Sequence, residues 1–304
     1  MQGENELKEG FRCGVVAIAG RPNVGKSTFL NHLMGSKIAI VTPKPQTTRD
    51  RILGIWSDEE AQILFHDTPG IHQSERPLNR RMIATALDAC KDADAILMMT
   101  DAKRPIAATR DDAQVLERVI AANKPLVLAI NKVDLIDKPL LLPLIMAYSK
   151  AAPFKAVVPI SSKTGSGVQA VVKELIGCLP EGEPLYPEDE ISDRPMRFLA
   201  AEIIREKVTL FTHQEVPYST AVTIDSWVDG AKGGATKITA TIHVERDSQK
   251  AIVIGKAGAM LKRIGTAARQ DIEQMSESRV MLTLNVATRE NWTESDRELD
   301  RLLG

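Results

Sequence analysis

Eight residues, Gly20 to Ser27, constrain the fold of this chain more than any other stretch. They read Gly-Arg-Pro-Asn-Val-Gly-Lys-Ser and follow an apolar run from Cys13 to Ala19. The pattern GxxxxGK[ST] forms a phosphate-binding P-loop when it joins a buried strand to the N-terminus of a helix. Gly20 and Gly25 allow the backbone to curl so that successive N–H groups point at one anion. The stretch therefore predicts a strand, a P-loop and a helix around a phosphate site.

Two side chains of this loop carry further chemistry. Lys26 is expected to reach the terminal phosphates of a nucleotide, and Ser27 to offer its hydroxyl to Mg²⁺. The alternative is a glycine-rich turn with a solvated lysine. As a P-loop, the stretch supplies these nucleotide-binding residues: Gly20, Asn23, Val24, Gly25, Lys26, Ser27 and Thr28.

Apolar runs alternate with helix-like stretches through the first half of the chain. The runs are Val15–Ala19, Ile63–Phe65, Ala95–Met99, Leu126–Ile130 and Val157–Ile160. Continuous Val, Ile and Leu runs are typical of parallel strands that are buried on both faces. We therefore predict an α/β domain with a doubly wound, mostly parallel sheet. Ligands of such sheets lie at the carboxyl ends of the strands, so the residues after each run are candidate site residues.

The second run leads into His66-Asp67-Thr68-Pro69-Gly70, which contains a DxxG sequence. The Asp67 carboxylate can hold a magnesium-bound water, and the Gly70 N–H can contact a γ-phosphate. An isolated DxxG sequence is also compatible with an Asp-initiated turn. The position of this one after a predicted strand favours the nucleotide site.

The fourth run leads into the sequence NKVD, from Asn131 to Asp134. The Asp134 carboxylate can accept two hydrogen bonds from guanine, a donor pair that adenine lacks, and the Lys132 stem can lie along the base. The motif therefore indicates GTP rather than ATP. The last run is followed by Ser161-Ser162-Lys163, where the Ser162 N–H is expected to meet the guanine carbonyl oxygen.

A threonine-bearing sequence, PQTTR, lies between the P-loop helix and the next predicted strand. Its Thr48 is placed where a switch loop would reach Mg²⁺ and the γ-phosphate, so Mg²⁺ is expected on Ser27, Thr48 and Asp67. The five motifs occur in the order and spacing of the GTPase superfamily. We therefore expect Lys26, Thr48 and Gly70 to act in hydrolysis of GTP to GDP and phosphate.

One residue departs from the Ras-like pattern. Ile71 follows the DxxG glycine, where Ras-like proteins carry the glutamine that orients the attacking water. This site must orient the water in another way. A nucleotide-binding domain that has lost hydrolysis is the alternative reading.

Composition limits the remaining possibilities. The chain has 304 residues, of which 43% are hydrophobic, and this length favours two domains. A net charge of -1 excludes nucleic-acid binding by bulk charge, so such binding would need a local patch. Cys13, Cys90 and Cys178 lie far apart among apolar neighbours and are expected to be buried, reduced thiols, which suits the cytoplasm. We find neither a secretory signal nor a membrane-spanning segment.

A proline-rich acidic stretch, residues 180–195, separates two parts of the chain. It is expected to be an extended, semi-rigid connector. The part that follows reads as helix, two strands, two helices and a strand. Gly255-Lys256-Ala257-Gly258 lies between the two adjacent helices, and this order looks like a KH domain of the second topological type.

In a KH domain the GxxG loop clamps the backbone of about four nucleotides of single-stranded RNA. The stretch from Gln249 to Gln270 contains five cationic side chains and no acidic one, so the local charge supports this interpretation. A solvated helix face is the alternative. The candidate RNA-binding residues are Lys250, Gly255, Lys256, Ala257, Gly258, Lys262 and Arg263. The predicted division is an N-terminal tail 1–12, a GTPase domain 13–179, a linker 180–195 and a KH domain 196–304.

The full set of motifs resembles the Era family of bacterial GTPases from about Cys13 onward. The carrying sequences are GRPNVGKST, PQTTR, DTPG and NKVD, then PYS, VERDSQK, VIGKAGAMLKRIG and a closing NW. The resemblance implies a ribosome-assembly factor that binds the 30S subunit and the 3′ end of its small-subunit ribosomal RNA through the KH domain. Two departures are Ser162, where Ala is more usual, and residues 285–288, which lack lysines often seen in the family's last strand.

Further expectations concern partners. We expect a cytoplasmic monomer that binds GTP and GDP, and a weak peripheral association with the inner membrane stays open. The competing function is a signalling GTPase whose second domain docks a protein or a membrane. GTPases resembling this one with Asn at the position of Asn23 include potassium-stimulated members, so Asn23 is a candidate K⁺ ligand with a catalytic role. The other interpretation of Asn23 is a hydrogen bond within the loop.

Overall fold

The computed structural model describes residues 10–45, 47–71, 76–103, 110–231 and 234–303. Most of the predicted tail, Gln46 of PQTTR and the residues directly after Ile71 lie outside this part of the chain. Backbone packing divides the described residues into two compact units. The first is formed by 10–38, 48–71, 82–103 and 110–193, and the second by 39–45, 47, 76–81, 194–231 and 234–303. The domain boundaries predicted from the sequence stay predictions.

The first unit contains a six-stranded sheet. Its strands are β1 (Arg12–Gly20), β2 (Ile52–Ser57), β3 (Ala61–Asp67), β4 (Ala95–Asp101), β5 (Leu126–Asn131) and β6 (Ala156–Pro159). The helices in this part of the chain are α1 (Lys26–Met34), α2 (Pro77–Asp92), α3 (Arg110–Ile120), α4 (Leu141–Ala151) and α5 (Val168–Ile176). The strand order is β2-β3-β1-β4-β5-β6, with β2 antiparallel to β3 and the other pairs parallel.

Alternate residues of the central strands enter two separate cores. Val16 and Ile18 of β1 pack in one cluster, whereas Ala17 and Ala19 pack in the other. A sheet that buries both faces in this way needs helices on both sides. The predicted doubly wound, mostly parallel sheet is confirmed. Strand β2 was not predicted, because Gly54 interrupts its short apolar run. The structure shows why a glycine stands there: a Cβ on Gly54 would lie 2.6 Å from Leu30 Cδ1.

The second unit contains a three-stranded sheet and helices in the predicted order. Its elements are α6 (Met196–Phe211), β7 (Ala221–Val228), β8 (Thr236–Val244), α7 (Asp247–Ile254), α8 (Ala259–Ser276), β9 (Val280–Thr288) and α9 (Asp296–Leu303). Strand β8 is central, antiparallel to β7 and parallel to β9. Ile264, Ala268 and Ile272 form the buried stripe of α8 against this sheet. The predicted KH topology is confirmed, and α9 is added to it.

The proline-rich stretch is held along the first unit up to Asp193. Cys13 N donates to Pro180 O at 3.2 Å, and Ile55 N donates to Ile191 O at 2.9 Å. The buried Gln62 side chain accepts hydrogen bonds from the Leu185 N and Tyr186 N atoms. These bonds use backbone groups that an independent connector would leave to water.

Two further expectations can be compared with the structure. Cys13 and Cys90 are buried as predicted, but Cys178 is partly exposed because it lies in the turn after α5. Burial raises the pKa of the Cys90 thiol to about 12, so this thiol stays protonated. Within the described residues, no helix combines the length and the apolar character needed to cross a bilayer.

Candidate functional site

The P-loop connects β1 to α1 through residues with positive φ, a backbone conformation that favours glycine and asparagine. Gly25 has φ 105° and caps α1, and Asn23 has φ 63°. A Cβ on Gly25 would lie 2.2 Å from Asn131 Nδ2, and a Cβ on Gly20 would lie 2.5 Å from Met99 O. The glycine positions are therefore fixed by close packing as well as by φ. The loop ends at the N-terminus of α1, where unpaired N–H groups favour an anion.

Lys26 is buried inside this loop. Its Nζ donates to the carbonyl oxygens of Gly20 and Arg21 at 3.3 and 3.2 Å. Burial lowers the pKa of Lys26 to about 8, although the nearby Asp67 acts in the opposite direction. An anion at the loop would stabilise the charged ammonium, so the site is suited to phosphate.

Three oxygen-bearing side chains predicted to hold Mg²⁺ converge from three parts of the chain. Ser27 Oγ donates to Asp67 Oδ2 at 2.6 Å, and Thr48 Oγ1 lies 3.0 Å from Ser27 Oγ and 3.3 Å from Asp67 Oδ2. Hydroxyl and carboxylate oxygens are the ligands that Mg²⁺ prefers. The predicted convergence of these side chains is present in the structure.

The Asp67 carboxylate also carries a buried oxygen, Oδ1, without a hydrogen-bond partner. Burial raises the pKa of this carboxyl, with Lys26, Ser27 and Thr48 acting in the opposite direction. A cation would satisfy the buried charge and the orphaned oxygen together. Among the described residues no group of three or more His, Cys, Asp or Glu is arranged to hold a metal ion.

The DxxG segment packs directly under the P-loop. A Cβ on Gly70 would lie 2.6 Å from Pro22 N, and Ile71 N donates to Gly20 O at 3.1 Å. The Ile71 side chain is 1% exposed and packs in the apolar core with Ala17 and Ala19. It points away from solvent and cannot orient a water, as its residue type indicated.

Asn131 joins the predicted base-binding loop to the P-loop. Its Nδ2 donates to Val24 O at 2.7 Å, and its Oδ1 accepts from Lys132 N at 2.8 Å. Lys132 Nζ donates to Asn23 O at 2.7 Å. Asp134 lies in an exposed turn after β5, where its carboxylate is accessible to a base.

The Ser161-Ser162-Lys163 segment lies beside this loop, with the two serines buried and Lys163 exposed. The Ser162 N–H, predicted to meet guanine, donates instead to Asn131 Oδ1 at 2.9 Å. The N–H is already used because the segment after β6, which contains Ser162, lies beside Asn131 at the end of β5. A guanine contact by Ser162 therefore requires this bond to be shared or exchanged.

Residues 39–45 and 47, which precede Thr48 in the chain, belong to the second unit and are held by α6. Val41 N donates to Glu206 Oε1 at 3.0 Å, and Arg205 Nη2 donates to Thr47 O at 2.5 Å. Lys207 pairs with Glu206 at 3.0 Å and with Asp271 of α8 at 2.5 Å. Charged side chains of α6 thus determine the path of this segment.

The GxxG loop between α7 and α8 has the open geometry that its sequence predicts. Gly255 has φ 71°, and a Cβ there would lie 2.6 Å from Met260 Cβ. Gly258 has φ 78°, but a Cβ there would meet no heavy atom within 4 Å. Gly255 is required by packing, whereas Gly258 leaves space outside the N-terminus of α8. This space is where a phosphate would approach.

The basic residues around the GxxG loop are not equivalent. Lys256 and Lys262 are exposed and Lys250 is half-buried, and none of them forms an ion pair within the described residues. Arg263 stacks its guanidinium over the Phe211 ring at 4.2 Å. Its position is therefore fixed by a cation–π contact.

Sequence reasoning missed two acidic residues that touch the nucleotide loops. Asp112 of α3 pairs with Arg21 of the P-loop at 2.6 Å, with side chains 0% and 9% exposed. Asp101 pairs with Lys132 at 2.7 Å. Asp101 ends β4, so the rule that ligands bind at the carboxyl ends of strands was a signal for it. Asp112 lies within a helix and carries no such signal.

Both units match models of known protein families. The family model described as 50S ribosome-binding GTPase matches residues 15–132, and the KH domain model matches residues 215–293. The fold and the sites define a P-loop GTPase that carries a KH domain. GTPase Era of Geobacter metallireducens is 49% identical over 292 residues, which cover 96% of this chain and 97% of that protein. The chain belongs to the Era family of GTPases.

Other relatives agree over nearly the same length. GTPase Era of Syntrophus aciditrophicus is 47% identical over 289 residues, which cover 95% of this chain and 94% of that protein. A crystal structure of Era with MgGDPNP and nucleotides 1506–1542 of 16S ribosomal RNA has a TM-score of 0.92 and 41% identity, covering 96% of this chain and 98% of that one. An Aquifex aeolicus Era variant bound to GDP·AlF4⁻ has a TM-score of 0.91 and 41% identity, covering 96% and 99%.

Proposed function

We propose that this GTPase is a molecular switch that binds small-subunit ribosomal RNA near its 3′ end through the KH domain and assists assembly of the 30S subunit. The observation that carries the proposal is the solved relative, 41% identical over nearly the full chain, which holds MgGDPNP and a segment of 16S ribosomal RNA together. The competing function, a signalling GTPase with a protein- or membrane-docking domain, is not favoured by this relative.

The nucleotide site supports hydrolysis through positioning and charge. Lys26 would contact the terminal phosphates, and the Gly70 N–H would contact the γ-phosphate and respond to its loss. Ser27, Thr48 and, through water, Asp67 would hold Mg²⁺, which supplies positive charge to the β- and γ-phosphate oxygens. The buried, unpartnered Asp67 Oδ1 supports this assignment.

The KH loop supports RNA binding by the space that it leaves. The open position beside Gly258 lies at the N-terminus of the 18-residue helix α8, and Lys256 is exposed next to it. A helix N-terminus with a neighbouring cation favours a phosphate group. Lys250 and Lys262 add charge, and neither side chain forms an ion pair with another of the residues that the structure describes.

The experiment replaces Gly258 by Asp and measures binding of the 3′-terminal segment of small-subunit ribosomal RNA together with GTP hydrolysis. Repulsion of phosphate should weaken RNA binding about tenfold or more at low salt, while hydrolysis by the protein alone stays near the parent rate. Gly258→Asn is the control for backbone strain, because Asn tolerates positive φ and adds no charge. Gln274→Glu adds the same charge to an exposed site near the other end of α8. Parent-like RNA binding by Gly258→Asp would contradict the proposal.

A potassium ion is proposed as a second cation of the nucleotide site. Asn23 adopts φ 63° within the P-loop, and its carbonyl oxygen is held by Lys132 Nζ at 2.7 Å. The amide oxygen of the Asn23 side chain is the group that would coordinate K⁺ beside the phosphates. Positive charge near the bridging oxygen would assist hydrolysis in a site where Ile71 cannot orient a water.

The protein is further proposed to act as a cytoplasmic monomer, with at most a weak peripheral contact with the inner membrane. The described residues contain no helix able to span a bilayer. Light scattering at micromolar concentration tests the monomer. Flotation with anionic vesicles at low and moderate salt tests the membrane contact, which should be salt-sensitive if it exists.

A further inference from the structure

Asp101 lies where two parallel strands end beside the nucleotide loops. It is the last residue of β4 and is in register with Asn131, the last residue of β5. Its Oδ1 accepts from Lys103 N at 2.9 Å, and Ala102 N donates to Asn131 O at 2.8 Å. These bonds fix the carboxylate relative to the base-binding loop.

The second carboxylate oxygen of Asp101 holds Lys132. Lys132 Nζ donates to Asp101 Oδ2 at 2.7 Å and to Asn23 O at 2.7 Å. The Asp101 and Lys132 side chains are 14% and 31% exposed, so the pair is partly shielded from water. The ammonium is thus fixed between β4 and the P-loop.

The strained backbone of Lys132 makes the two hydrogen bonds that hold its side chain more important. Lys132 has φ 65°, a left-handed conformation that costs free energy in a residue other than glycine. Its side chain is long and has many rotamers, and their loss on nucleotide binding opposes affinity. A partner that holds the side chain before the nucleotide arrives reduces this loss.

We infer that Asp101 is a positioning residue for the guanine nucleotide, which acts through Lys132 and lengthens the residence time of GDP and GTP. The inference rests on the proposed role of Lys132 along the base. It predicts that loss of the Asp101 carboxylate weakens nucleotide binding, whereas electrostatics alone would predict stronger binding. Removal of a negative charge near the phosphates would by itself strengthen nucleotide binding, whereas loss of a positioning group weakens it.

The test measures dissociation of a fluorescent GDP from the full chain in four forms: the parent, Asp101→Asn, Lys132→Ala and the double variant. Asp101→Asn should release GDP about tenfold faster, and the double variant should release it no faster than Lys132→Ala, as expected for two residues acting as one unit. Single-turnover hydrolysis of bound GTP is measured on the same four forms, and release of GDP should accelerate by a larger factor than the one by which hydrolysis changes. Asp101→Glu should restore part of the residence time.

The control is Asp137→Asn, which removes the same charge from an exposed residue of the following turn. It should leave GDP release unchanged or slow it. If Asp101→Asn does not fold, Asp101→Ser replaces it. Parent-like release by the Asp101 variant, or an equal acceleration with and without Lys132, would overturn the inference. Parent-like release by Lys132→Ala would instead remove the role of Lys132 on which it rests.

Discussion

The side-chain amide of Asn131 donates a 2.7 Å hydrogen bond to the carbonyl oxygen of Val24, and so ties the end of β5 to the P-loop. The bond brings the Asn131 Nδ2 atom so close to Gly25 that a Cβ there would lie 2.2 Å away. The phosphate loop and the base-binding loop therefore share one packed contact.

This contact predicts that Gly25→Ala weakens nucleotide binding severely. The methyl group would displace Asn131 and force alanine into φ 105°, at a combined cost of about 2 kcal/mol or more, or about 30-fold in affinity. Titration with fluorescent GDP measures the change. Gly35→Ala is the matched control at the other end of α1, since Gly35 has φ 63° but open space around a Cβ. It should reduce stability by about 1 to 2 kcal/mol and spare nucleotide affinity.

Asp134→Asn should change the preferred base. The variant loses a charged acceptor for two guanine donors, which weakens GTP binding by about 1.5 to 3 kcal/mol. Xanthosine triphosphate should bind better than GTP, because its base presents a carbonyl where guanine carries the amine. Competition between the two nucleotides measures the preference. Unchanged GTP affinity would remove Asp134 from the base site.

Nucleotide affinity should depend on pH through Lys26. The pKa of this ammonium is about 8 in the ligand-free protein, and the phosphates of a nucleotide would raise it. Below that pKa, Lys26 is charged in both states and contributes no pH dependence. Above it, binding takes up a proton, so Kd should rise about tenfold per pH unit. Measurements of Kd from about pH 7 to about pH 9 check this slope. In Lys26→Ala the part of the pH dependence that comes from Lys26 should be absent, whereas any part that comes from ionisation of the guanine base should remain.

Potassium should raise the turnover number above that in sodium at matched ionic strength. Asn23→Ala should remove the difference and still bind GTP, because the Asn23 carbonyl that Lys132 contacts is retained. Hydrolysis rates at saturating GTP in each salt make the comparison. Equal rates of the parent in both salts would refute the proposal.

Asp112→Ala should destabilise the protein through the charge that it leaves behind. The variant buries the Arg21 guanidinium without its 2.6 Å carboxylate partner, which costs about 3 to 5 kcal/mol of unfolding free energy. Asp88→Ala removes the same residue type from an exposed pair with Lys91, where the side chains are 64% and 68% exposed, and should cost at most about 1 kcal/mol. Urea unfolding without nucleotide compares the two. A loss of similar size in both variants would contradict the role of burial.

Local chemistry explains how far the sequence predicted the fold and the site. The P-loop, DTPG and GxxG segments are contiguous, so residue type and spacing alone predict which of their groups would face a ligand. The alternation of apolar runs likewise predicted the parallel strands, whereas β2, broken by Gly54, did not show the pattern. Cys178 looked buried from its neighbours but lies in a turn.

The sequence by itself therefore determined the two domain types and the order of their elements apart from β2 and α9, and it predicted which segments carry the phosphate and base motifs. Only the tertiary structure decided which groups are already occupied: the Ser162 N–H bonds to Asn131, and Arg263 stacks on Phe211. Only the tertiary structure placed Asp101 beside Lys132. The physical reason is that neighbouring parallel strands bring residues together through sheet register and helix packing, and no local period in the chain records either.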